Sequence, residues 1–487
     1  MNLSISSVFR VVGLVLVVIG LSMIPSAIVA VIYHEHSALL VFLVTIFFSI
    51  LVGLVLMKYC NQHNANLKVR DGFLIVTLCW ILSAALGAIP FVLSGSIPSV
   101  VDAFFESCSG FSTTGSSILT DVESLPKSIL FWRSFTHWIG GMGILIFAIA
   151  LMPSLGISGQ NVAISETPGP TLDKVTPKMS DTAKVLYITY LLFTIVETIL
   201  LCMGGMSLFD SLVHTFGSVG TGGFSTYNTS VAHFDSAYID GVITAFMILS
   251  GVNFNLYYLS LHHGIKQLVK DAEFRFYLLI ISGSTILIAT NLFLTHYYDS
   301  IGNSFRYAVF QVGSLITTTG YATTDFDLWP TFSKMVLIII MFVGGCSAST
   351  GGGIKVIRVL ILLKLIKRGL AMRLHPNAVV SVKLNNKTIT GDTVSAIANH
   401  AFLYFFILFI STILISLNNF DIITSFTSVI TCLGNIGPGF GLVGPTLNFS
   451  IYSEPAKILL SILMLAGRLE LFTLFILLTP RFWNPNH

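Results

Sequence analysis

Thr317-Thr318-Thr319-Gly320-Tyr321 is the stretch on which the reading of this chain turns. It follows a mixed run, 304–314, that is too short to cross a bilayer and too long for a turn, and an apolar span comes after it. The arrangement recurs as Ser112-Thr113-Thr114-Gly115-Ser116 after 100–110, Gly220-Thr221-Gly222-Gly223-Phe224 after 208–218, and Gly434-Asn435-Ile436-Gly437-Pro438 after 421–432. Aligned on Gly115, Gly223, Gly320 and Gly437, the stretches lie 108, 97 and 117 residues apart. Nine positions before each glycine stands a polar residue (Glu106, His214, Gln311, Ser428), and six before it a small one (Ser109, Gly217, Ser314, Thr431). A small residue on a short helix lets a neighbour pack close. One such cluster would read as an outer turn. Four in register indicate duplicated units.

Composition puts these units in a membrane. Of 487 residues 54% are hydrophobic and 10% charged, against about 25% charged in a soluble domain. Too few polar groups remain to cover a soluble surface. That excludes a cytosolic globular enzyme, a disordered protein and a nucleic-acid binder, and a net charge of +3 suggests no acidic partner. Cys60, Cys79, Cys108, Cys202, Cys346 and Cys432 form no CxxC, so neither a disulfide framework nor a zinc site is expected.

A spanning helix needs about 20 apolar residues. Charge-free windows lie between Arg10 and His34, His36 and Lys58, Asp71 and Asp102, Asp240 and His262, Arg275 and His296, Lys334 and Lys355, and His400 and Asp421. Apolar segments at 133–153, 183–204 and 456–479, interrupted by His137, Glu197, and Arg468 with Glu470, bring the expectation to ten spans. The first is long and lacks a small-residue cleavage site, so it reads as a retained helix. With both termini cytoplasmic, nineteen Lys/Arg fall inside and five outside (Lys127, Arg133, Arg306, Lys334, Lys457), with Arg468 within the membrane, accounting for all 25. Acids gather outside, where they modestly raise the local cation concentration.

Irregular backbone at membrane depth is tolerated only where it lines water or is buried in protein. Four half-length helices descending from outside would bring four loops to one axis at mid-depth. Their C-terminal ends would each present roughly half a negative charge to a cation. Glycine permits positive φ, so that consecutive carbonyls face the axis. Rings of carbonyl oxygens can replace the hydration shell of a K⁺-sized ion.

Four non-identical span–P-loop–span units on one chain, each with one filter glycine, resemble the Trk/Ktr/HKT superfamily of potassium transporters. The two extra N-terminal spans and the length resemble its bacterial TrkH branch. The resemblance covers the whole chain. It implies an all-α polytopic membrane protein with four pseudo-symmetric repeats around one ion pore. The expected activity is uptake of K⁺ and Rb⁺ across the inner membrane. It further implies membrane lipid as surroundings, a homodimer with one pore per protomer, and a cytosolic nucleotide-binding regulatory subunit resembling TrkA. Carried onto this chain, the ion-coordinating carbonyls come from Thr113 and Thr114, Thr221 and Gly222, Thr318 and Thr319, and Asn435 and Ile436, with Gly115, Gly223, Gly320 and Gly437 as filter glycines. In the family, serine in place of the first glycine accompanies sodium transport; Gly115 therefore favours potassium. The fourth loop departs most from the TTG pattern.

Below the filter, the span from about 332 breaks at Gly344-Gly345-Cys346-Ser347-Ala348-Ser349-Thr350-Gly351-Gly352-Gly353. Each glycine costs about 1 kcal/mol in a helix, and Ser and Thr compete for its backbone. The break is expected on the inner side of the filter as an intramembrane gating loop, which the family also has. A close small-residue helix crossing explains isolated glycines but not three in a row. Arg468 is a functional-site candidate by its depth. The resemblance sets it in the cavity beneath the filter, tuning ion passage; a structural ion pair with Glu197 is the other reading, since Glu470 points to a different face.

Gly140-Gly141-Met142-Gly143 reads as helix packing rather than a dinucleotide fingerprint. The basic run Lys355–Lys387 suits anionic lipid or a cytosolic partner equally. The expected organisation is two N-terminal helices over 1–70, then pore repeats over 71–160, 161–270, 271–390 and 391–487. No organic cofactor is implied. A coupled secondary transporter of Na⁺ or H⁺ predicts inverted repeats, whereas these units share one topology. A membrane enzyme would need a convergent catalytic set, and neither HExxH nor GxSxG occurs.

Overall fold

The computed structural model describes residues 4–59, 68–143, 179–378, 380–385 and 387–484. The expected boundary at 160/161, the inner half of the 133–153 span, Cys60, Lys174 and Lys178 lie outside the described residues.

Two helices, Ile5–Ser22 and Ile24–Ile32, together make one span, followed by His36–Tyr59. Val8, Val11, Val12, Val15, Leu16 and Ile19 are buried, the i, i+3, i+4 stripe of a helix packed on one side. On His36–Tyr59 the apolar side chains of Leu40, Leu43, Val44, Phe47 and Phe48 stay exposed, as a lipid-facing surface requires. The loop after the first pair is tied to the pore: Glu35 accepts from the backbone N–H of Lys127 at 2.6 Å and of Ser128 at 3.0 Å. It thereby caps the helix Lys127–Gly141.

Four units follow, each a span, a half-helix, a loop and a second apolar segment. The first spans are Val69–Leu93, Met179–Met203, Ala272–Leu294 and Gly391–Ile415. The half-helices are Val100–Phe111, Leu208–Val219, Ile301–Ile316 and Ile422–Gly434, about 18–24 Å long at 1.5 Å per residue. Each starts on a side-chain cap: Ser99, Ser207, Ser300 and Asp421 accept from backbone N–H groups of the first turn.

Three of the four second segments are interrupted among the described residues, where one break was expected. Lys127–Gly141 ends at its glycines. Ala237–Ser250 and Phe254–His262 meet at 86°, and Glu454–Arg468 and Phe472–Leu478 at 112°. Thr331–Ile340 gives way to a loop that lasts until Val356–Leu374 begins. Among the described residues six helices are long and apolar enough to cross a membrane, or eight if each bent pair is one span. Of the ten spans expected, the 133–153 segment lies partly outside the described residues and the one from about 332 breaks after Ile340, so neither enters this count. A short hairpin, Lys383–Leu384 against Lys387–Thr388, follows Val356–Leu374 and holds the strands found among the described residues.

Candidate functional site

The four half-helices end in the same turn. Thr113, Thr221, Thr318 and Asn435 are left-handed, with φ of 55°, 54°, 59° and 54°, and two residues on Gly115, Gly223, Gly320 and Gly437 take φ of 82°, 80°, 82° and 105°. Between them the N–H of Thr114 donates to Ser109 O (2.9 Å), Gly222 to Gly217 (2.7 Å), Thr319 to Ser314 (2.8 Å) and Ile436 to Thr431 (2.9 Å). These acceptors are the small residues six positions before each glycine. Their carbonyls would otherwise be orphaned at a helix end.

The loops form a closed ring. A Cβ on Gly115 would fall on the carbonyl oxygen of Gly222, one on Gly223 on that of Thr319, and one on Gly320 on that of Ile436; on Gly437 it would lie 2.9 Å from the oxygen of Thr114. Each glycine thus abuts the next unit's carbonyl, and the fourth returns to the first. Among the described residues no protein donor reaches the carbonyls of Thr113, Thr114, Thr221, Gly222, Thr318, Thr319, Asn435 or Ile436. A cavity of about 120 Å³ opens on the outer side, with all four glycines in its lining.

Charge outside this ring is more balanced than composition suggested. Of the five bases expected outside, Arg133 pairs with Glu106 (2.6 Å), Arg306 with Asp240 (2.7 Å), Lys334 with Asp327 (3.7 Å) and Lys457 with Asp102 (2.6 Å). Asp421 is not in these pairs. Hydrogen bonding by Thr424 holds its carboxyl below the ordinary aspartate range, so it stays charged at neutral pH.

The inner side is filled by residues 341–355, a wider loop than Gly344–Gly353. Gly344 N–H donates to Ile354 O (2.9 Å), and Val356 N–H to Gly345 O (3.1 Å), closing its neck. Gly352 N–H donates to Thr318 Oγ1 at 2.6 Å, directly beneath the ring. A Cβ on Gly351 would lie 2.9 Å from Thr317 O, and one on Gly352 2.6 Å from Gly434 O; the close approach requires glycine. Gly353 turns the chain with φ 65°. Ser349 Oγ bonds to Cys346 O (2.6 Å), and Lys355 Nζ donates to Gly351 O.

The other breaks hold this loop. Cys346 N–H donates to Gly251 O (2.8 Å), Thr350 Oγ1 to Ser250 O (3.2 Å), and Phe254 N–H to Ala348 O (3.2 Å). Glu273 takes the N–H and Oγ of Ser347, both at 2.6 Å, and Ile357 N–H at 3.2 Å. Arg468 donates to Thr350 O at 2.7 Å and to Gly140 O and Gly141 O at 2.6 and 2.8 Å. Its guanidinium therefore bridges the loop to the end of the helix Lys127–Gly141, a use of Arg468 for which the residue pattern offered no signal.

Other expectations change. Glu470 pairs with Arg358, and Glu197 bonds to Ser218 Oγ (2.5 Å), so neither is paired with Arg468 by these bonds. Lys355 and Arg358 are 1% and 8% exposed; the basic run does not present them to lipid or a partner. Gly140 and Gly141 do pack closely, against Phe111 and Gly220, and also supply Arg468 with acceptors. The break after Ser250 could have been suspected from Gly251-Val252-Asn253, but a single glycine carries little weight in a membrane helix.

Comparison with known proteins gives a consistent result. The family model for TrkH, described as a cation transport protein, matches residues 38–484. The Trk system potassium uptake protein TrkH of Salmonella typhimurium is 38% identical over 481 residues, covering 98% of this chain and 99% of that protein. The TrkG protein of the same system in Escherichia coli is 36% identical over 468 residues, 96% of each. The crystal structure of the potassium transporter TrkH from Vibrio parahaemolyticus aligns with a TM-score of 0.89 at 36% identity, covering 99% of this chain and all of that one.

Proposed function

This chain belongs to the TrkH family of cation transport proteins, and from that premise we propose that K⁺ passes through its carbonyl ring into the cell. It is a multi-pass membrane protein for potassium uptake, a transporter and not an enzyme. The carrying observation is the cyclic contact of Gly115, Gly223, Gly320 and Gly437 with the neighbouring units' carbonyls. Eight oxygens without protein donors, at the C-terminal ends of four half-helices, offer a dehydrated monovalent cation neutral ligands in a field of favourable sign. Thr113, Thr114, Thr221, Gly222, Thr318, Thr319, Asn435 and Ile436 supply them in this reading.

The loop 341–355 is the gate. It occupies the exit beneath the ring, and Lys355 and Arg468 add positive charge there, so passage requires its displacement. The excess of Lys and Arg on one side supports cytoplasmic termini. The resemblance to this family supports a homodimer in the inner membrane and a TrkA-like nucleotide-binding subunit on the cytosolic face. A coupled symporter for Na⁺ or H⁺ is not favoured, because the four units run with one topology rather than as inverted pairs.

The test is rubidium uptake into proteoliposomes with K⁺, Na⁺ and Li⁺ as competitors. Gly115→Ser, Gly223→Ser and Gly320→Ser each place a side chain on a neighbouring carbonyl and should weaken the preference for K⁺ over Na⁺. An unchanged preference in all three would remove the filter assignment.

A further inference from the structure

The polar residue nine positions before each filter glycine takes no part in the ion path, yet Glu106, His214, Gln311 and Ser428 are all fully buried. In the first unit Glu106 accepts from Ser117 Oγ and from Ile118 N–H, both at 2.9 Å. In the second, His214 Nε2 meets Ser225 Oγ at 2.9 Å. Ser225 Oγ already accepts from Tyr227 N–H (3.1 Å) and His214 Nδ1 lies 2.8 Å from Asp210 O. The neutral ring with its proton on Nδ1 satisfies that network. In the third, Gln311 Nε2 donates to Thr323 Oγ1 at 3.4 Å. The partners stand two or three residues beyond Gly115, Gly223 and Gly320.

The fourth unit departs from the pattern. Ser428 bonds to the Tyr452 hydroxyl at 2.6 Å. Thr427, one position earlier, instead accepts from Phe440 N–H at 3.0 Å, three residues beyond Gly437. Chemistry differs in all four units, whereas the geometry persists: half-helix to the segment leaving the ring.

We propose that Glu106, His214, Gln311 and Thr427 are positioning residues for ion selectivity, each fixing from behind how far its loop's carbonyls stand from the axis. The proposal rests on the filter reading above. Any buried polar side chain must find a hydrogen bond. That requirement alone does not direct four dissimilar side chains to the same segment. The chain from half-helix to outgoing segment is closed at its inner end by the bond from the residue before the glycine. The side-chain tether closes it at the outer end. Between these closures only the ring is left, and discrimination between K⁺ and Na⁺ depends on its size and on the field of its carbonyls. Arg133 adds a brace between units: Nε on Glu106 at 2.6 Å and Nη1 on Ser225 O at 3.1 Å. The effect is therefore greatest in the first two units and least at the long Gln311 bond.

The test removes the far hydroxyl and leaves the half-helix intact. Ser117→Ala, Ser225→Ala and Thr323→Val are purified as full-length protein, the folded fraction is taken by size exclusion, and rubidium uptake is titrated with Na⁺ and K⁺. The preference for K⁺ should fall about three- to tenfold in Ser117→Ala and Ser225→Ala, the equivalent of one lost hydrogen bond. Thr323→Val should change it less, and Ser225→Thr should restore it. Thr45→Ala serves as control: Thr45 is as deeply buried but bonds to Val41 O, remote from the ring. A shift in Thr45→Ala equal to that in Ser225→Ala would mark general loosening and overturn the proposal. So would wild-type preference in both serine variants while Gly223→Ser lowers it, a result that leaves the filter reading intact. Wild-type preference in Gly223→Ser too would fell the filter reading itself.

Discussion

Replacing Arg468 by alanine withdraws one guanidinium from three carbonyls: Thr350 O at 2.7 Å, Gly140 O at 2.6 Å and Gly141 O at 2.8 Å. A hydrogen bond to a charged group contributes about 1.5–3 kcal/mol. The bonds to Gly140 and Gly141 do not depend on the loop, whereas the bond to Thr350 exists only while the loop is seated. The closed state should thus lose about 1.5–3 kcal/mol relative to the open one, shifting their ratio about ten- to hundredfold. Glu273, Gly251 and Thr318 still hold the loop, so the variant stays partly closed. Rubidium uptake should rise with K⁺ preference unchanged. The thermal midpoint should fall, since two carbonyls on the first unit lose their donor. Arg468→Lys separates bridging from charge. A lysine ammonium is a point charge and cannot span the same fork, so uptake between wild type and alanine is expected. Wild-type uptake in Arg468→Lys with raised uptake in Arg468→Ala would transfer the role to charge alone. Unchanged or lower uptake in a well-folded Arg468→Ala would refute the latch.

Deleting Gly344–Gly353 should raise uptake further than Arg468→Ala without altering competition by Na⁺; lower uptake from folded protein would count against a gate. Glu273→Ala removes the acceptor of Ser347 and Ile357, at about 1.5–3 kcal/mol per charged hydrogen bond. It should raise uptake by at least tenfold at constant ion preference, and an unaltered rate would show that the loop is held elsewhere. Substitutions at the four glycines should not be equivalent. Gly437→Ala, whose Cβ would keep 2.9 Å from Thr114 O, should lower selectivity less than Gly115→Ala, and the reverse order in competition assays would contradict the ring geometry.

What could be read in advance follows from what composition records. Four half-helices and their glycines were legible because span length and a repeated Gly leave a mark on sequence. The left-handed turn two residues earlier left none: Thr113, Thr221 and Thr318 are β-branched residues that disfavour positive φ. Of the four, Asn435 is the one whose type hints at it. The small residues six positions back were read as packing, whereas their backbone carbonyls do the work, and a carbonyl has no sequence signature. The loop Gly344–Gly353 was visible through five glycines in ten residues. The break at 469–471 was not, because it bends at Glu470 and Leu471, with φ of 60° and 55°, in a segment of ordinary helix formers. For Arg468, depth was evident from its apolar flanks. Its partners were not, since all three are backbone oxygens on other units.

The asymmetry below the ring explains why four dissimilar units on one chain suit this architecture. The half-helices need only be alike, and four identical subunits could build them. A single folded loop on the axis cannot be made that way, because identical subunits would each bring one to a space that holds one. Here the third unit supplies the loop, the second its acceptors at Ser250 and Gly251, the fourth Arg468, and the first the carbonyls of Gly140 and Gly141. On the proposed reading, opening requires moving one segment, not four. That segment runs straight into the helix Val356–Leu374 and the hairpin beyond it. Asn385 at the hairpin bonds to Asp271 (2.7 Å) and to Ala272 N–H (2.9 Å). The next residue, Glu273, grips Ser347 in the loop and Ile357 in the first turn of the helix after it. Displacing the hairpin therefore pulls the loop along two routes, the helix that continues it and the carboxylate that clamps it. On the proposed reading, a regulatory partner that acted on the hairpin would have a short, covalently continuous path to the gate.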